Sequence, residues 1–209
     1  MLNRWLRRLF RLVTRLVIRL DCAGLENFPD SPPYIAVANH LSIFDSLVLG
    51  AILPDEVRPF AAAKNARHPL FGPILRIGGA IFVRRGEVDR GALREALDVL
   101  EQGGALGVAP EGTRARGHYA LQRAKAGVAY LATRADVPLV PVGLAGVEHV
   151  KENLPRLRRT KVVAKVGEPF RLPESGRVGR AKLNEYTDLI MRRVAALLPE
   201  SYRGVYAEE

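Results

Sequence analysis

Short apolar-rich runs of strand character alternate along this chain with longer stretches of helical periodicity, and that rhythm limits the fold more than any other feature. Tyr34–Ala38, Arg58–Ala63, Ala80–Val83, Ala105–Ala109, Leu139–Leu144 and Lys161–Val166 are four to six residues long and rich in aliphatic side chains, as buried strands are. Between them, Ile43–Leu53, Val88–Gln102 and Leu121–Arg134 carry apolar residues at three- and four-residue intervals, and Leu183–Leu198 closes the chain in the same way. Pro54 stops the first of these predicted helices, and Gly103-Gly104 ends the second. His68 to Gly79 reads as a loop with a helical turn. The expectation is an α/β fold with a mostly parallel or mixed central sheet flanked by helices. At 209 residues the chain can bury one such core.

The first twenty residues follow another rule. Arg4, Arg7, Arg8, Arg11, Arg15 and Arg19 precede the first acidic residue, Asp21. At 100° per residue they fall within an arc of roughly 120°. Leu2, Trp5, Leu6, Leu9, Phe10, Leu12, Val13, Leu16 and Val17 fill the opposite side. An arginine face opposite a Trp/Phe/Leu face suits a helix lying in the headgroup plane of an anionic membrane. The same pattern serves an amphipathic helix packed on its own domain. No run of about 18 uncharged apolar residues exists for a transmembrane span, and the arginines interrupt any secretory signal. Residues 1–20 are therefore read as a membrane-associating segment, with Trp5, Phe10, Arg4, Arg8, Arg11 and Arg15 at the surface, and 21–209 as the main domain. Val17–Cys22 also fits a strand with Ile18, Leu20 and Cys22 on one face, ending the helix near Leu16.

A net charge of +10 calls for an anionic partner. Nucleic acid is not expected, because the N-terminal basic residues line one face of an apolar helix rather than an aromatic-interleaved groove. Cys22 is the single cysteine, which excludes a disulfide framework and fits a reducing, cytoplasmic setting. His68, His118 and His149 match no metal-ligand spacing, so no metal is expected.

Chemistry concentrates in Asn39-His40-Leu41-Ser42-Ile43-Phe44-Asp45. A histidine titrating near neutrality can take a proton from an alcohol, and a carboxylate on its other ring nitrogen fixes the tautomer and stabilises the imidazolium. Ser42 and Asp45 also stand in capping-box spacing, which requires no catalysis. About seventy residues on, Pro110-Glu111-Gly112-Thr113-Arg114 places an acid, a flexible glycine and an arginine on one turn. Arg84-Arg85 follows the Ala80–Val83 strand, and Leu139-Val140-Pro141-Val142-Gly143 is apolar with a rigid proline.

In this order and at these distances the four segments resemble the four blocks of the glycerolphosphate acyltransferase superfamily, in particular its bacterial 1-acyl-glycerol-3-phosphate acyltransferases. The likeness runs from about Gly24 to Gly167, taking in Gly24–Pro29, Lys64 with Pro69–Gly72, and Lys125–Gly127. It implies that His40 deprotonates the 2-hydroxyl of 1-acyl-glycerol-3-phosphate for attack on a thioester of acyl carrier protein or coenzyme A, with Asp45 orienting His40. It implies an acceptor-phosphate site of Arg85, Glu111, Gly112, Thr113 and Arg114, with Lys125 and Lys64 as further candidates and Glu111 positioning an arginine or a substrate hydroxyl. No resident cofactor is implied, and the expected place is the cytoplasmic face of the cell membrane. The same chemistry on another lysolipid, an amino-acid lipid or a glycolipid stays open, as does a non-catalytic basic module binding membrane or nucleic acid. Arg84 and Ala109 depart from what many relatives carry, which leaves the acceptor less defined than the reaction.

Overall fold

In a computed structural model, residues 4–84, 86, 88–113 and 119–207 are described, with side chains from Arg8 onward. Seven strands form one mixed sheet: β1 Ile18–Ala23, β2 Tyr34–Ala38, β3 Val57–Ala62, β4 Ile81–Val83, β5 Ala105–Val108, β6 Leu139–Ala145 and β7 Thr160–Val166. Their spatial order is β1-β7-β6-β2-β5-β3-β4. The five from β6 to β4 are mutually parallel; β7 runs antiparallel to β6, and β1 runs parallel to β7. Ile18–Leu20, grouped above with the N-terminal segment, are thus sheet residues.

Two cores form because the strands alternate their side chains. Ile35 and Val37 of β2 face α4 Arg90–Glu101, α5 Gly127–Ala135 and α7 Arg180–Ala195, in a cluster that includes Ala96, Leu131 and Met191. Tyr34, Ala36 and Ala38 face the other side, with Val48 of α2 Asp45–Ile52. On that side α1, Arg4–Val17, packs across α2: Thr14 Oγ1 donates to Leu47 O (3.1 Å) and Arg11 Nε to Ala51 O (3.3 Å). Phe10 fits against Gly50, where a β-carbon would come within 3.0 Å of its ring.

Helix limits differ from the expected ones for local reasons. The predicted helix from Leu121 begins only at Gly127, because earlier amides have other acceptors. Leu121 N donates to Tyr202 O, Gln122 N to Glu111 Oε2 and Ala124 N to Tyr206 Oη. Helix α4 starts after Asp89, whose carboxylate accepts from Ala92 N (3.2 Å), an N-cap at the position where the sequence reading already had helix. The turn in 68–79 is α3, Phe71–Ile77. A further short helix, α6, spans Val150–Asn153. No helix among the described residues is long and apolar enough to cross a membrane.

Candidate active site

Strands β2 and β5 are parallel neighbours, so the segments leaving their C-terminal ends meet. His40 follows β2 and Glu111 follows β5, at the sheet edge where such folds carry their sites. Asn39 anchors this edge. Buried to 1% exposure, its side chain donates to Leu144 O (2.9 Å) and accepts from Leu144 N (2.8 Å), tying the end of β2 to β6. The sequence reading included Asn39 in the motif without a role; a polar side chain ending an apolar strand was the available signal.

His40 Nδ1 lies 2.7 Å from Asp45 Oδ2. The same oxygen accepts from Leu41 N (2.8 Å) and Ser42 N (3.0 Å). Three contacts on one oxygen hold the carboxylate in place and aimed at the ring. Nδ1 therefore carries the proton and Nε2 presents its lone pair. Half of the anticipated capping box is made, since Asp45 reaches back to Ser42 N. The other half is replaced: Ser42 Oγ accepts from Phe44 N (3.3 Å), and α2 begins at Asp45 itself with Phe44 as its N-cap. Asp45 Oδ1 is buried and has no hydrogen-bond partner among the described residues.

Glu111 supports the pair from behind. Its Oε1 accepts from His40 N (3.0 Å) and its Oε2 from Gln122 N (3.1 Å). Burial pushes its carboxyl above the ordinary glutamate range; the two backbone donors and His40 pull the other way, and the Asp45 charge adds to the rise. Both carboxylate oxygens thus serve backbone amides, whereas an arginine or a substrate hydroxyl was expected. Gly112 takes φ +69°, a left-handed conformation that suits glycine, and the aliphatic part of Lys125 lies over it.

The pair opens into a cavity of about 1680 Å³. His40, Lys64, Arg84, Gly112 and Lys125 line it, and Leu93, Leu97 and Leu131 give it an apolar wall. Thr113 is exposed and stands outside this lining. Arg84 borders the cavity with its guanidinium 3.4 Å from Asp89 Oδ2. That carboxyl is held below its usual range first by backbone hydrogen bonds from Arg84 and Ala92, then by the Arg84 charge. Arg85, Arg114 and His118 lie outside the described residues, as do the side chains of Arg4 and Trp5. Phe10 lines the cavity as well as packing on α2.

Cys22 is not placed to serve as a nucleophile here. Cys22 sits on β1, three strands from β2. Burial, then Asp21 and Glu26, push its thiol up, which opposes thiolate chemistry. Among the described residues no group of three His, Cys, Asp or Glu side chains could hold a metal ion.

Residues 19–145 match the sequence model of a family described as Acyltransferase. The chain belongs to that acyltransferase family. It is 31% identical over 134 residues to the 1-acyl-sn-glycerol-3-phosphate acyltransferase alpha of Mus musculus, covering 63% of this chain and 47% of that protein. To the 1-acyl-sn-glycerol-3-phosphate acyltransferase of Saccharomyces cerevisiae it is 34% identical over 146 residues, 65% of this chain and 46% of the other. The chain thus spans about half the length of these curated relatives. Its fold is similar to the crystal structure of the 1-acyl-sn-glycerophosphate (LPA) acyltransferase PlsC from Thermotoga maritima, with a TM-score of 0.69 and 26% identity over 94% of this chain and 76% of that one.

Proposed function

We propose that this acyltransferase moves a fatty acyl group from a thioester of acyl carrier protein or coenzyme A to the 2-hydroxyl of 1-acyl-glycerol-3-phosphate, giving phosphatidic acid. The observation that carries the reading is the 2.7 Å contact between His40 Nδ1 and Asp45 Oδ2, which leaves Nε2 as base beside a large apolar cavity. Nε2 takes the hydroxyl proton as the alkoxide oxygen attacks the thioester carbonyl carbon. Collapse of the tetrahedral adduct breaks the carbon–sulfur bond, and the imidazolium returns the proton to the departing thiolate. Asp45 stabilises the imidazolium between these steps. Transfer is direct, with both substrates bound.

Arg85, Gly112, Thr113 and Arg114, with Lys64 and Lys125, form the acceptor side in this reading, and Glu111 holds the His40 backbone behind it. Guanidinium forks bind phosphate oxygens in pairs, and Gly112 lets backbone come close. The cavity's apolar wall suits acyl chains. The N-terminal helix seats the enzyme on the cytoplasmic face of an anionic membrane. Support comes from Leu9, Leu12 and Leu16, which stand 52%, 56% and 65% exposed on α1 instead of joining its contact with α2.

The test supplies lysophosphatidic acid and a labelled acyl thioester to the purified protein and measures phosphatidic acid. A panel of other lysolipids, amino-acid lipids and glycolipids runs in parallel. Turnover is expected for lysophosphatidic acid, falling about 10²–10⁴-fold in His40→Ala. Full activity in that variant would overturn the mechanism; a preferred acceptor elsewhere in the panel would overturn the substrate.

A further inference from the structure

The charge excess of this chain is not spread evenly. Residues 1–20 hold six arginines and no acidic residue. Residues 57–86 hold Arg58, Lys64, Arg67, Arg76, Arg84 and Arg85, again with no acidic residue. These two stretches contain twelve of the 32 Lys and Arg and none of the 22 Asp and Glu, so the rest of the chain is close to neutral. In the second stretch Arg58 and Arg84 face Glu95 and Asp89. Lys64, Arg67 and Arg76 are exposed and form no ion pair among the described residues, although Arg76 Nη2 donates to Ala66 O.

The second stretch also exposes apolar side chains. Leu70 is 71% exposed, Phe71 42% and Ile77 56%, on α3 and the residue before it. Leu9 of α1 and Phe71 of α3 line the same cavity, so the two basic, acid-free segments flank one opening. Apolar side chains standing in solvent between cations are poorly suited to water and well suited to a headgroup layer. An acidic protein surface would match the charge alone; the bulky aliphatic side chains favour lipid.

We propose that residues 64–77 form a second bilayer contact, which with α1 seats the cavity mouth on an anionic phospholipid surface. The proposal rests on the reading above that the acceptor is a membrane lipid. It adds a seating of two points, which fixes how the opening meets the bilayer where one helix alone would leave it free to pivot. Leu70 and Ile77 would enter the layer, while Arg67 and Arg76 meet its phosphates.

The experiment compares the full chain with Leu70→Glu/Ile77→Glu and with Leu70→Trp/Ile77→Trp. Neither position lines the cavity. Partition is measured by flotation with vesicles of phosphatidylcholine alone and with one third phosphatidylglycerol. Activity is measured on vesicle-borne and on short-chain monomeric lysophosphatidic acid. The glutamate variant is expected to lose about tenfold or more in partition to anionic vesicles and a similar factor on vesicle-borne acceptor, with monomeric acceptor turned over as before. The tryptophan variant is expected to bind at least as tightly as the parent, to turn over monomeric acceptor as the parent does, and to show a blue shift on anionic vesicles beyond the one the parent's Trp5 gives. Unchanged flotation of the glutamate variant, with no blue shift in the tryptophan variant beyond the parent's, would overturn the proposal. So would unchanged flotation with a raised KM for carrier-protein thioester, which would assign the surface to an acidic protein. Should the parent turn over neither acceptor, the functional reading fails, and flotation still decides the surface.

Discussion

His40–Asp45 and His149–Glu148 are both histidine–carboxylate pairs, yet their surroundings direct them to different ends. In the first, a carboxylate buried to 1% takes three donors on one oxygen, and the histidine keeps a single acidic neighbour on Nδ1. Nε2 is left for substrate, in a cavity. In the second, Nε2 lies 3.3 Å from Glu148 and Nδ1 lies 3.7 Å from Glu152, so both ring nitrogens face carboxylates. The ring is 52% exposed and lies outside the cavity. Glu148 is instead the acceptor of the Tyr202 hydroxyl, whose pKa is pushed up to about 12 by burial and then by that carboxylate. A general base therefore requires more than a charge pair. It requires one nitrogen satisfied and the other free where substrate arrives.

Replacing the buried carboxylate tests that distinction most severely. Asp45→Asn keeps the shape and removes the charge that stabilises an imidazolium. The expected result is a kcat loss of about 10²-fold or more, with KM for either substrate little changed. Steady-state kinetics with both substrates varied would measure it. A loss confined to KM would mean that the pair holds substrate rather than moving its proton.

Glu111 gives a smaller and more diagnostic effect. Glutamine at this position can accept through one atom, so either His40 N or Gln122 N would face an amide nitrogen. Leaving a buried donor unpaired costs about 1–3 kcal/mol, and displacement of the His40 backbone should lower kcat about tenfold. The pH dependence has a definite sign. Because the folded state raises the Glu111 carboxyl, it holds the proton more tightly than the unfolded chain does. This contribution to stability falls as pH rises from the ordinary glutamate range through the raised value, and is flat above it. Thermal denaturation across that window should show the slope in the parent, and the slope should diminish in Glu111→Gln. An unchanged slope would show that Glu111 is not its source.

These cases mark how far the sequence could be read. Tyr34–Ala38 and Ala105–Ala109 were legible as strands because buried parallel strands are apolar on both faces. The contact of His40 with Asp45 was legible because only five residues separate them across the turn from β2 into α2. The Glu111–His40 bond was not, since it depends on β2 and β5 being neighbours, a fact of strand order that no local pattern records. The start of α5 was misplaced for a related reason: the amides of Leu121, Gln122 and Ala124 are taken by Tyr202, Glu111 and Tyr206, partners outside the helix. On α1 the periodicity showed an apolar face but could not divide it. Phe10 and Thr14 meet α2, whereas Leu9, Leu12 and Leu16 stay in solvent, and only the docked helix separates the two sets.

The smallest expected effect falls on the second pair. His149→Ala removes two long ion pairs at a half-exposed ring and leaves the Tyr202–Glu148 hydrogen bond in place. Exposed pairs of this kind contribute about 0–1 kcal/mol, so stability should stay within that range and kcat/KM within about twofold. Its pH–rate profile should superimpose on the parent's. A loss comparable to that of Asp45→Asn would break the comparison, because a ring with carboxylates on both nitrogens would then have to take part in the chemistry. Superposition would place the requirement on the free Nε2 of His40, the one respect in which two otherwise similar pairs differ toward substrate.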